Sequence, residues 1–175
     1  MRSTSIVLIL CIASATVLAD SPRMPVSLVF SWTNGGYYFR LIPSADFDEK
    51  KTKGILYRVS DGEDDLLYES DGWYSFNVLV SNDGRYLARR GPWPSSSSDP
   101  EKTPAIVFYA DGVPVRTYYV SDLIANLSKL EYSVSHYSWG GPLRWSDSSS
   151  VDHFVVATVE GKTIKFHVRT AEILK

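Results

Sequence analysis

The chain has 175 residues with 18 basic and 20 acidic side chains, 44% hydrophobic and 13% aromatic residues, and one cysteine. That length favours one domain with a real core. A near-neutral balance with no basic block excludes an electrostatic nucleic-acid or anionic-membrane surface. Cys11 falls in the leading segment, which leaves the rest without disulfide or thiol chemistry.

Residues 1–19 read as a secretory signal: Arg2 is a short basic start, Ile6 to Ala15 is mainly apolar, and Val17-Leu18-Ala19 offers a cleavage site. The apolar run is too short to span a bilayer, and no later run is longer, so no transmembrane segment is expected. A secreted or periplasmic protein beginning at Asp20 follows. Residues 20–175 then form one domain held by packing alone.

Val26 to Trp32 alternates as a strand, Thr33-Asn34-Gly35-Gly36 turns it, and Tyr37 to Ile42 returns. Pro43 to Lys53 is a polar loop. Gly54 to Val59 and Leu66 to Glu69 are two more strands around Asp61-Gly62. The second segment repeats this rhythm. Trp73 to Val80 and Tyr86 to Arg90 flank Asn82-Asp83-Gly84, a strong hairpin signal. Gly91 to Pro104, with four prolines and Ser95 to Ser98, reads as the least structured part. Ala105 to Tyr109 and Val113 to Val120 pair across Asp111-Gly112.

One helix is expected next, N-capped by Ser121 and ending near Glu131, with Leu123, Ile124, Leu127 and Leu130 as its apolar stripe. The last third repeats the rhythm less clearly. Tyr132 to Ser138 is a strand, with Leu143 to Trp145 its short partner across Trp139-Gly140-Gly141-Pro142. Val151 to Val159 and Thr163 to Val168 form a hairpin, and Ala171 to Leu174 a last edge strand.

The chain is therefore read as all-β, with about three four-stranded antiparallel units near 26–70, 73–120 and 132–174 and one connecting helix. The phrase Ser81-Asn82-Asp83-Gly84-Arg85-Tyr86-Leu87 resembles the strand–turn–strand core of β-propeller blade repeats of the tryptophan–aspartate and YVTN-like kinds. The resemblance is clearest over Trp73 to Val120. It implies an architecture and no activity. Closed propellers have at least about four blades. Three units imply an open array, a propeller completed by a second chain, or a meander folded as a sandwich or barrel.

No strong catalytic or metal pattern stands out. His136, His153 and His167 lie on three separate expected strands without the short spacing of a zinc site. There is no Gly-x-Ser-x-Gly elbow, phosphate loop or dinucleotide fingerprint. No cofactor or metal is expected, and the acidic clusters read as solvated turns. Aromatic residues in loops are the best functional hint. Trp93 sits between two prolines, and Trp139 and Trp145 bracket Gly140-Gly141-Pro142 with Tyr137 and Arg144 nearby. Such residues suit sugar rings or peptide partners. The same pair of tryptophans also fits the end of a sheet as capping residues.

The expected role is a non-enzymatic binding module for a protein or carbohydrate ligand, presented by aromatic loops. The alternatives are a hydrolase assembled from Asp147, Asp152, His153 and His136, and a structural subunit forming homo-oligomers through sheet edges. Asn126-Leu127-Ser128 matches a glycosylation acceptor.

Overall fold

The computed structural model describes residues 23–32, 35–146 and 152–174. The signal segment 1–19, Thr33-Asn34 of the first turn, Asp147 and Val151 lie outside the described residues. Strand makes up 46% of the described residues and helix 7%, so the fold is all-β.

Three four-stranded sheets follow one another along the chain. The first contains β1 (Leu28–Ser31), β2 (Tyr37–Ile42), β3 (Lys53–Arg58) and β4 (Asp65–Glu69). The second contains β5 (Val78–Val80), β6 (Tyr86–Arg90), β7 (Pro104–Ala110) and β8 (Val113–Tyr119). Next come a one-turn helix, α1 (Val120–Leu123), and a small hairpin of β9 (Glu131–Tyr132) with β10 (Tyr137–Ser138). The third sheet contains β11 (Arg144–Trp145), β12 (His153–Ala157), β13 (Thr163–His167) and β14 (Glu172–Leu174). Within each sheet, strands are ordered as in the chain and all pairs are antiparallel. Short connections between neighbours favour this meander, because loop closure then costs least.

The second sheet lies between the other two. Alternation sends Val78, Val80, Leu87, Val107 and Tyr109 to one face, where they pack with Phe39, Leu41 and Leu56 of the first sheet. Leu79, Ala88, Ile106 and Phe108 take the opposite face and pack with Phe154, Val156 and Phe166 of the third. Two buried faces explain why β5 and the middle of β7 are continuously apolar rather than alternating. Phe108, Phe154 and Phe166 form the aromatic centre of the larger cluster, with ring centroids 5.1 to 5.8 Å apart.

The turn Ser81–Arg85 is held by both neighbouring sheets. Ser81 Oγ donates to Asp83 Oδ1 at 2.6 Å and accepts from the Tyr86 amide at 3.0 Å, which closes the reversal locally. Gly84 has φ of 72°, and a Cβ there would lie 2.5 Å from a Tyr37 ring carbon. Both facts require glycine. Tyr68 of the first sheet donates its hydroxyl to the Gly84 carbonyl at 2.9 Å. Arg169, after β13, donates to Asp83 at 2.7 Å, to Asn82 at 3.2 Å and to Asp152 at 2.6 Å. The first and third sheets also touch directly, through the edge-to-face pair Trp32–Trp145 at 4.3 Å.

Three expectations need correction. Residues 73–77 are not strand: Trp73 and Tyr74 are buried side by side, which breaks alternation. Ser75 Oγ donates to the Asn77 and Arg90 carbonyls there. The helix is Val120–Leu123 with Tyr119 as N-cap, not a run from Ser121 to Glu131. Glu160 explains the break, because its carboxylate accepts the Ala125 and Asn126 amides at 3.3 and 2.9 Å. A separate 3-10 turn at Leu127–Lys129 then buries Leu130 beside Leu123 and Ile124. Tyr132 to Ser138 folds on itself as a hairpin, and β11 pairs with β12 instead. Gly91 to Thr103 is a loop, as expected, pinned by the Ser98 amide donating to the Ser95 carbonyl at 3.0 Å and the Ser96 amide to the Ser135 carbonyl at 3.1 Å.

Among the described residues, the open edge β8 carries Pro114 and Arg116, and β4 carries Asp65 and Glu69. Such residues blunt edge-to-edge pairing. No described helix is long and apolar enough to cross a membrane.

Candidate ligand-binding cavity

A cavity of about 560 Å³ opens where the N-terminal segment, residues 74–77, the end of β6 and the Trp93 loop meet β10. Its walls include Met24, Tyr74, Phe76, Arg90, Trp93 and His136. Its size lies within the range of small-molecule sites.

Local bonds fix each wall. Tyr74 clamps the N-terminal segment: its hydroxyl accepts the Val26 amide at 3.0 Å and donates to the Val26 carbonyl at 2.7 Å. Phe76 stands edge-on to Tyr74 at 5.0 Å. Asn77 reads the Leu143 backbone in both directions, accepting its amide at 2.6 Å and donating to its carbonyl at 3.3 Å. That pair ties the entry of β5 to the start of β11.

Gly91 sends the chain away from β6. A Cβ there would lie 1.7 Å from the Pro104 carbonyl oxygen, so no side chain fits. Pro92 and Pro94 flank Trp93, and the Pro94 carbonyl accepts the Tyr137 amide at 3.2 Å. Trp93 is 47% exposed and lies 4.3 Å from the His136 ring. Ser133 and Ser135 hydroxyls approach His136 Nδ1 at 2.7 and 3.2 Å. Met24 and Phe76, 64% and 41% exposed, supply further apolar surface on the same cavity.

Arg90 is a charged group in the wall, with Arg23 and Glu49. Alternation along β6 places it with Ala88, facing the third sheet. One Nη donates to the Gly141 carbonyl and the other to the Gly140 carbonyl at 2.7 Å. The guanidinium also stacks over the Trp139 ring at 4.3 Å. Burial alone pulls its pKa down, to about 10, so it remains a cation at neutral pH.

The five residues singled out from the sequence separate here. Trp93 and Tyr137 line the cavity. Trp139 is 1% exposed and forms part of the core beneath Arg90. Trp145 packs on Trp32. Arg144 is exposed on β11 opposite Val155. Burial raises the Tyr137 pKa. Its own hydroxyl oxygen is buried without a hydrogen-bond partner among the described residues.

Of the hydrolase residues, Asp147 lies outside the described residues, and the other three do not come together. His136 lines this cavity. Asp152 is bonded to Arg169, and His153 lies edge-on to His167 at 5.1 Å on the paired strands β12 and β13. No metal-sized group of histidine, cysteine and carboxylate side chains exists among the described residues. Asn126 is exposed, and its Oδ1 accepts from the Ser128 amide and hydroxyl.

Arg90, Phe76 and Met24 were not singled out from the sequence. Arg90 had one usable signal: a cation that period-2 alternation puts on the buried face of a strand, directly before Gly91-Pro92-Trp93. Comparison with known proteins finds no protein-family pattern and no curated protein sequence that matches the chain.

Proposed function

We propose that the protein is a secreted or periplasmic, non-enzymatic binding module whose site is the cavity beside Trp93. The observation that carries this reading is the convergence of three exposed apolar side chains, Met24, Phe76 and Trp93, on one concavity with Arg90 in its wall. Exposed apolar surface is costly in a monomer unless it meets a partner. The walls are pinned by Tyr74, Asn77 and Pro94 before any ligand arrives, which limits the ordering cost of binding.

The scaffold reading belongs to the same proposal. Three consecutive four-stranded meanders stack face to face, and the Ser81–Leu87 phrase forms the turn that neighbouring sheets grip. This supports an open fan of propeller-like blades, with the cavity at one end of the central blade.

The test is thermal unfolding across a library of sugars, short peptides and small organic acids, amides and amines. At least one class raises the midpoint of the unmutated protein and not that of Trp93→Ala. Equal shifts in both proteins, or none in either, remove the cavity as the site.

A further inference from the structure

We propose that the cavity selects a small carboxylic acid with an aromatic or branched apolar body, its carboxylate meeting Arg90 and its body lying against Trp93, Phe76 and Met24. This rests on the cavity reading above and adds the chemistry of the ligand.

The argument starts from an imbalance of charge. Three arginines are paired with carboxylates, Arg58 with Asp65, Arg85 with Asp111, and Arg169 with Asp83 and Asp152, whereas Arg89 donates to the Tyr109 hydroxyl and the exposed Arg116 to the Ala171 carbonyl. Arg90 is more deeply placed than Arg58 and Arg85 and has none; its bonds go to two backbone carbonyls. Burial is the sole influence on its titration. A buried cation without an anion keeps much of its desolvation cost. Two carbonyls and the Trp139 face offset part of that cost, and they leave the rest of the guanidinium donor fork unused.

The location of the imbalance gives it meaning. Arg90 lies in the wall of the cavity rather than inside the packed core. A carboxylate entering there would form a charge-assisted hydrogen bond with a planar donor that its carbonyl bonds already hold in place. Glu49, also in the wall, is joined to neither Arg90 nor Arg23 by an ion pair among the described residues. Three prolines, Met24 and the aromatic side chains reward an apolar body; of the polar lining, Ser75 donates its hydroxyl to the Arg90 carbonyl and Asn77 is bonded to the Leu143 backbone. Volume sets the scale: about 560 Å³ holds a small molecule, not a folded domain.

Three probes test this on the unmutated protein by calorimetry: 3-phenylpropionate, its neutral amide, and the tetrapeptide Gly-Gly-Gly-Phe with a free C-terminus. The acid binds, and the amide binds roughly tenfold to a hundredfold more weakly, the ratio expected for one hydrogen bond to a charged group. Arg90→Gln, which retains amide donors for the two carbonyls, abolishes that preference, and Trp93→Ala weakens acid and amide alike. Equal binding of acid and amide overturns the carboxylate assignment and leaves the cavity reading standing. Tighter binding of the tetrapeptide than of the free acid moves the site to chain termini and overturns the small-molecule assignment. Binding by none of the probes overturns this inference, while the wider library above still decides the cavity. Because the acid–amide comparison needs no variant, a misfolded Arg90→Gln does not affect it.

Discussion

Two loops meet at Arg90, and they treat their tryptophans in opposite ways. Gly91-Pro92-Trp93-Pro94 displays its indole, whereas Trp139-Gly140-Gly141-Pro142 buries its own. Composition does not separate them, since both are short, glycine- and proline-bearing loops. The backbone does. The Trp139 carbonyl accepts the Val159 amide at 3.1 Å, and the Gly141 amide donates to the Ala157 carbonyl at 2.8 Å. That bridge to the third sheet aims the indole into the core. In the other loop the fixed points are Gly91 and Pro94, on either side of the tryptophan. An aromatic residue in a loop is therefore a core plug or a ligand surface according to where its backbone is tied.

The strongest way to break this comparison is Trp139→Ala. It empties a fully buried site and removes the surface on which Arg90 stacks, so it costs about 3–5 kcal/mol in denaturant unfolding. A cost no larger than that of Trp93→Ala would erase the distinction. Gly91→Ala comes next. Its Cβ meets a backbone carbonyl, so the junction of β6 with β7 must shift, at about 3 kcal/mol, the upper end of overpacking costs. An unfolding midpoint unchanged from the unmutated protein would show that the exit from β6 is not fixed by this contact.

Acid sharpens the scaffold side of the comparison. Burial pushes the Asp83 carboxyl up, but the Ser81 hydroxyl, the Arg85 amide and Arg169 outweigh it, and its pKa lies below the usual 3.8. The unfolded chain therefore takes up this proton first as pH falls. The stability from Asp83 is fully present above the unfolded value, and it is lost as pH falls through the unfolded value and then the lower folded one. Asp83→Asn should remove roughly 1 kcal/mol at neutral pH and flatten the acid limb of urea midpoints measured between neutral and acid pH. An unchanged acid limb would mean that the Arg169 bridge between the second and third sheets contributes nothing to folding.

The same contrast between local and distant partners explains what could be read from the sequence. The Ser81–Arg85 reversal was legible because Ser81, Asp83 and Gly84 satisfy one another within a few residues. The first two meanders and the later strands of the third were legible because each strand pairs with its chain neighbour; the third sheet begins at Arg144 rather than at Tyr132. The helix was overextended because Glu160, far along the chain, takes the Ala125 and Asn126 amides. Tyr132 to Ser138 was misread as one strand because its hairpin is closed by Ser133 and His136, with the Ser133 amide donating to the His136 carbonyl at 2.8 Å. In the cavity, Trp93 was visible as an aromatic between prolines. Arg90 was not, because the carbonyls that hold it come from residues 140 and 141.

The smallest expected effect on folding is the most informative about function. Trp93 is half in solvent, its loop is pinned at Gly91 and Pro94, and its ring rests on His136 rather than in either apolar cluster. Trp93→Ala should therefore shift stability by no more than about 0.5 kcal/mol. The same substitution removes the largest flat apolar surface in the cavity wall. A variant that unfolds with the unmutated protein yet loses its ligand separates the two roles that aromatic loops play in this chain. A variant that loses stability as Trp139→Ala does would place Trp93 with the core, and the cavity would then be a gap between packed loops rather than a site.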